Sequence, residues 1–407
     1  MTDKGEIAAG PLGGVRVIDL TLALAGPLCT QRLGDMGAEI IKVEGPSRPD
    51  FTRDATMRGV RLGGETTCYL SINRNKKSVA IDLKTEEGRA ILMRLIAEAD
   101  VVIQNMRPGA AARLGIDFDS LKAVNPRIVY VSISGYGAEG PLRAAPGQDL
   151  LVQSFSGTTM NGGVAGGLPH PAPIYVVDVA ASHNACEAVL GGIIQRDRHG
   201  VAVEAEVSLL AAVLEIQIQE ITTYMTTGRA GSRGETPSAS TYMDPPYGVY
   251  HVTDGFVALA QADVARLGEV LDDDAIRELA ASPPDDADEA AVAAWRDGFY
   301  RAIQAAIAGA TREDIVARLS AEGIWAGPVQ DYDELIAHPQ SEGLFTTLDH
   351  PRAGALHTLA PAIRFSTQTD GPMAGAPALG EHTAEVLGAA GYDAAEIAAL
   401  TERGIIR

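Results

Sequence analysis

The sequence predicts an α/β fold, with a large Rossmann-like domain built on a parallel sheet and a smaller α+β domain. Two observations carry this. Between Val15 and Ile133, short and almost uninterrupted apolar runs alternate with helical patterns, as expected of strands buried on both faces. Beyond a Gly/Pro/Ser/Thr-rich segment at residues 228–246, the pattern changes to a hairpin followed by helices.

The elements follow in order. Val15 to Leu20 reads as a buried strand, and Ala25 to Met36 as a helix with Pro27 in its first turn and Gly37 at its end. Glu39 to Val43 and Ser78 to Leu83 read as strands. The helix Thr85 to Ala99 opens with Glu86 and Glu87, which favour the positive end of its dipole. Val101–Gln104 and Ile128–Ile133 complete the series. Residues 135–173 are loop-like, a helix follows Asp178, Val201 to Val207 is a strand, and Leu209 to Thr226 is one long helix. Tyr247–Val252, Asp254-Gly255 and Phe256–Ala260 form a hairpin, with helices at 262–271 and 291–308. The segment Leu271–Ala290 holds eight acidic residues against Arg277 and reads as a solvated acidic loop.

The 407 residues carry 53 Asp and Glu against 33 Lys and Arg, a net charge of −20. Such a field repels polyanions and argues against nucleic-acid or anionic-membrane partners, though not against a small anion held by a few local cations. Cys29, Cys68 and Cys186 are odd in number and widely spaced, which points to a reducing, cytoplasmic setting rather than a disulfide framework. The opening MTDKGEIAAG has no apolar core of a signal peptide, and no run is apolar enough to span a membrane.

Several motifs are set aside. Gly135 to Gly140 matches GxGxxG, but Pro141 and Pro146 forbid the helix that a dinucleotide fingerprint needs. The histidines show no metal-ligand spacing, so no metal is expected. Ser182 and His183 are neighbours on a helix and point about 100° apart, which makes a nucleophile–base pair a coincidence.

Other segments act together: Gly14–Leu20 with Ala25-Gly26-Pro27, Leu33–Glu44, Asn73–Leu83, Asn105–Gly109, Asn125–Ile128, Ser134–Gly137, Pro246–Val249, Gly327–Val329 and Leu379–Thr383. In this order they resemble the family III CoA-transferases (the CaiB/BaiF group), whose fold is shared with the α-methylacyl-CoA racemases. The resemblance spans about residues 12 to 405. It implies an acyl-CoA:carboxylate CoA-transferase with coenzyme A as a substrate and no permanently bound cofactor. It also implies a homodimer of interlocked, ring-like monomers, with a large domain at 1–227 plus 330–407 and a small one at 228–329.

Asp178 sits before a helix, where an N-cap role is the plainest reading of the residue alone. The resemblance makes it the nucleophile. A carboxylate can take an acyl group from a thioester as an anhydride and keep it activated, with backbone N–H groups of the glycine-rich stretches as oxyanion donors. The resemblance further places CoA against Leu24, Ala25, Asn75, Lys76, Asn105, Met106, Arg107 and Arg113, with Lys76 a phosphate partner. Surface salt bridging is the competing role for the two arginines. Leu24 and residues 238–241 depart from the formyl-CoA transferase pattern of a glutamine and a polyglycine lid. The racemases carry Gly-His-Asp where this chain has Gly147-Gln148-Asp149, and glutamine cannot exchange a proton. Epimerisation is therefore the alternative and transfer the expectation, with Gln148 and Asp149 beside the substrate. Arg143, Tyr175, Tyr242 and Trp325 are candidates for the acid site, with packing or surface roles equally open. The acids exchanged are not legible.

Overall fold

The computed structural model describes residues 10–366 and 373–407, so all but the last residue of the opening segment read above lies outside the described residues. The chain forms two compact units. The first comprises the described residues up to Val152 with Tyr175–Val213 and Glu342–Arg407; the second comprises Gln153–Ile174 and Leu214–Ser341. Compared with the expected division at 227/228 and 329/330, the second unit also takes in residues 153–174, 214–227 and 330–341.

The first unit is built on six parallel strands: β1 (Arg16–Leu20), β2 (Glu39–Glu44), β3 (Lys76–Ala80), β4 (Val101–Gln104), β5 (Val129–Ser134) and β6 (Val203–Ser208). Their order is β3-β2-β1-β4-β5-β6. The order reverses between β1 and β4, and in open α/β sheets ligands bind in the crevice at the carboxyl ends of the strands flanking that point. Helix α1 (Ala25–Asp35) returns from β1, and α2 (Glu86–Ala97) links β3 to β4. Two short helices, α3 (Ala110–Leu114) and α4 (Phe118–Val124), follow β4. Helix α5 (Asp149–Phe155) and the long α6 (Val176–His199) lie between β5 and β6. On one face of the sheet, Val17, Ile40, Val101, Val129 and Val131 pack with Cys29 and Leu33 of α1 and Ala181, Ala185 and Val189 of α6. On the other, Ile18, Ile41 and Val102 pack with Ile91 and Leu95 of α2 and with the C-terminal Ile405 and Ile406. The mixed α/β class and its parallel sheet are thus as the sequence predicted.

In the second unit, strands Gly248–Val252, Gly255–Leu259 and Ala326–Pro328 form an antiparallel sheet, with the expected hairpin at Asp254-Gly255. Phe299, Ile303, Ile315 and Leu319 of two helices pack with Val252, Val257 and Leu259.

Three local expectations change, the first being that the loop-like stretch 135–173 holds the helix Asp149–Phe155. The long helix from Leu209 is broken at Gln217, whose buried side chain leaves the helical direction to donate to the Ser156 carbonyl at 3.1 Å. The acidic segment contains a helix, Asp274–Ala281, because its aspartates do local work. Asp273 accepts from Ile276 N at 2.9 Å, Asp288 accepts from Ala291 N at 3.0 Å, and Arg277 pairs with Asp272 and Asp274. Such caps compensate the orphan N–H groups of a helix start.

Candidate active site

The site is built outward from the end of β5. Gly135 and Gly147 touch backbone to backbone, so that a Cβ on Gly135 would come within 2.5 Å of the Gly147 Cα. Only glycine at both positions allows this approach, which draws the 135–147 loop closed and delivers Gln148 and Asp149 to the carboxyl end of the sheet. Asp149 is 2% exposed. Its Oδ2 accepts from Val177 N at 2.9 Å and from Asp178 N at 3.1 Å, compensating two orphan N–H groups in the first turn of α6.

Asp178 therefore has a different place from the N-cap its sequence position suggested. The cap residue is Tyr175, which makes no side-chain cap bond, and Asp149 supplies the capping carboxylate from another element. Among the described residues no side chain or backbone group donates to the Asp178 carboxylate. Burial, and then the Asp149 charge, push its pKa up from 3.8 to about 6. A carboxylate so placed is still mostly ionised at neutral pH, but it is more basic than a solvated aspartate.

The expected CoA residues fall into three groups. Met106 and Arg113 line a cavity of about 450 Å³ beside the end of β4 and along β5 and β6, with Gln104, Tyr130 and Arg143 in its wall. Arg107 is exposed on the same 105–109 loop but does not line this cavity. Leu24, Ala25 and Asn105 meet at the switch point instead. There the Asn105 side chain accepts from Leu22 N at 2.9 Å and donates to Leu22 O at 2.7 Å, tying the loop after β4 to the turn after β1. Its amide is thus spent on the turn.

Asn75 and Lys76 form the third group, engaged by other residues of the chain. The Asn75 amide is held by Asp35 at 2.8 Å and by Ala374 N at 2.9 Å. Lys76 is buried, and its ammonium donates to Asp19 at 3.1 Å, Pro27 O at 2.8 Å and Asn73 at 2.8 Å. All three of its protons are used beneath the sheet end, so in this arrangement none reaches a phosphate. Burial lowers its pKa to about 8 despite Asp19.

The glycine-rich amides are also partly committed. Gly137 N donates to Ser134 Oγ at 3.0 Å, and Ala138 N donates to Glu206 at 2.6 Å. Gln148 is exposed, Tyr175 is 46% exposed at the head of α6, and Tyr242 and Trp325 belong to the second unit. Glu204 and Glu206 line the cavity although the sequence reading passed over them. Their alternation along β6, both polar on one face, is the signal that could have found them.

Asp178 thus stands in the first turn of a helix packed on a Rossmann-type parallel sheet. The model of CoA-transferase family III matches residues 12–383, and the chain belongs to that family. It is 30% identical to the human succinyl-CoA:glutarate CoA-transferase over 406 residues, covering 97% of this chain and 90% of that protein. Against the succinate–glutarate CoA-transferase of Agrobacterium fabrum the identity is 32% over 394 residues, covering 93% of this chain and 95% of that one. The crystal structure of a CaiB/BaiF family protein from Brucella suis superposes with a TM-score of 0.75 at 29% identity, covering 94% of this chain and all of that one.

Two outcomes follow from Asp178. If it acts ionised, kcat/KM for the acyl-CoA rises with pH through a single step near pH 6 and is flat above it; a profile with no step between pH 5 and 7 contradicts this. Because the folded state raises this pKa, ionisation costs stability, a cost absent below pH 3.8 and complete above about 6. Asp178→Asn should therefore stabilise the fold at pH 7 by up to about 3 kcal/mol in urea unfolding, with the gain vanishing by pH 4.

Proposed function

We propose that the chain moves CoA from an acyl-CoA thioester to a free carboxylic acid with Asp178 as the nucleophile. The observation that supports this most is a carboxylate with no donor among the described residues, yet fixed at the head of α6 and made more basic by burial and Asp149. Exchange between two acids is nearly thermoneutral, so a catalyst must conserve the activated acyl group rather than hydrolyse it. Asp178 attacks the thioester carbonyl, the C–S bond breaks, and a mixed anhydride and CoA thiolate result. The thiolate then attacks the aspartyl carbonyl, giving an aspartyl-CoA thioester and the donor acid. The acceptor carboxylate attacks that thioester, and the returning thiolate attacks the acceptor acyl carbon, releasing the new acyl-CoA and ionised Asp178. No proton is gained or lost over the cycle.

The cavity beside the end of β4 and along β5 and β6 is where we place the nucleotide end of CoA. Arg113 and Arg143 offer paired cations to phosphate there. The pantetheine arm crosses the switch point past Leu24 and Ala25. In this reading Asp149 orients Asp178, and Gln148, exposed at the loop end, contacts substrate. Relatives named for succinyl-CoA support a succinyl donor. The family resemblance supports a homodimer in the cytoplasm, with a large CoA-binding domain and a small domain.

Epimerisation finds no support in the geometry: position 148 is glutamine, and the Asp149 carboxylate is engaged with two amides. The test is trapping. With succinyl-CoA alone, borohydride or hydroxylamine should modify the peptide containing Asp178 and inactivate the enzyme. Asp178→Ala should show no trapping and lose at least about 10³-fold in kcat; a fully active Asp178→Ala variant rejects the mechanism.

A further inference from the structure

We propose that Lys42 and Asp50 are positioning residues for the acyl-CoA, a buried clamp that holds the turn after β1 in a backbone conformation which alanine resists. The inference rests on the reading that CoA crosses this turn.

Ala23 has φ of 68°, in the left-handed region that costs an L-residue about a tenfold bias. The backbone around it is gripped by side chains from elsewhere. Thr21 N donates to Asp19 at 2.9 Å, and Thr21 O accepts from Lys42 Nζ at 2.7 Å. Asn105 takes both polar groups of Leu22, and Ala23 N donates to Asp50 Oδ1 at 3.3 Å. Lys42 and Asp50 pair at 3.1 Å with both side chains 0% exposed. Asp50 is itself fixed by Thr52 N at 3.0 Å and Thr52 Oγ1 at 2.8 Å. One ion pair thus reaches the carbonyl two residues before the strained residue and the strained residue's own N–H.

A buried ion pair is weak as a source of stability, since well-packed apolar residues of similar volume often do as well or better. Its use is to specify one geometry. Immediately after the clamp come Leu24 and Ala25, where α1 begins. Released from the clamp, Ala23 would relax to negative φ and carry Leu24 off the rim of the crevice, weakening acyl-CoA binding without touching Asp178.

The test compares three variants of the full chain with succinyl-CoA as the probe. Lys42→Met/Asp50→Asn removes both charges, so neither is left buried alone. It should raise KM for succinyl-CoA about tenfold, with kcat and the KM of the acid within twofold. Adding Ala23→Gly, which adopts positive φ freely, should recover most of that loss. A merely structural pair would instead lower Tm and kcat and gain nothing from the glycine, and that result, or an unchanged KM, overturns the clamp. Leu24→Glu in the otherwise native chain separates the two ideas. If it raises KM while the double variant does not, only the clamp fails. If it leaves KM unchanged, CoA does not cross this turn and both readings fall.

Discussion

The carboxylate of Asp149 lies across the first turn of α6, and the setting of Asp178 depends on that contact. Two amides that would otherwise need water or a ligand are satisfied by one buried oxygen. The same carboxylate places negative charge near Asp178 and adds to the effect of burial on its pKa. One residue, delivered there by the close approach of Gly135 and Gly147, thus both caps the helix start and adds to the basicity that burial gives Asp178. Asp178 is held by its helix, and among the described residues no donor bonds its carboxylate oxygens.

Around the switch point the protein places charge inside the sheet. Asp19 and Lys42 face each other across β1 and β2, and Lys76 joins Asp19 from β3. Glu44 and Arg53 pair beside them at 2.6 Å. Lys42 and Asp50 of this cluster hold the turn after β1 through Thr21 O and Ala23 N. Arg113 and Arg143, by contrast, are exposed on the helix and loop around the cavity, whose lining also holds Asp117, Glu204 and Glu206.

The alternating strands and helices were legible because both-face burial leaves apolar runs that no other structure explains. The hairpin was legible from Asp254-Gly255. Asp178 was found through the family pattern, whereas its residue-level signal, an aspartate before a helix, pointed to a cap. The cap was Asp149, contributed from 29 positions earlier, and no local pattern encodes such a pairing. The burial of Lys76 was hidden for a related reason. A lysine at a strand start reads as exposed, but Asp19 lies inside β1, two strands away in the sheet, and draws it inward. A charged residue in the middle of a buried strand, as at Asp19 and Lys42, is the cue that a buried ionic cluster is present. The helix break at Gln217 was hidden because it arises from a tertiary hydrogen bond to Ser156.

The central claim is that the Asp178 carboxylate becomes covalently joined to substrate. Isotope transfer tests it most directly. Turnover of succinyl-CoA with an acceptor acid carrying ¹⁸O in its carboxylate should leave ¹⁸O in the peptide that contains Asp178. In the anhydride route the acceptor's oxygen becomes the bridging atom and stays with the aspartate when the acyl carbon is attacked by CoA. Multiple turnovers with no label in that peptide, or label on another residue, would contradict the account.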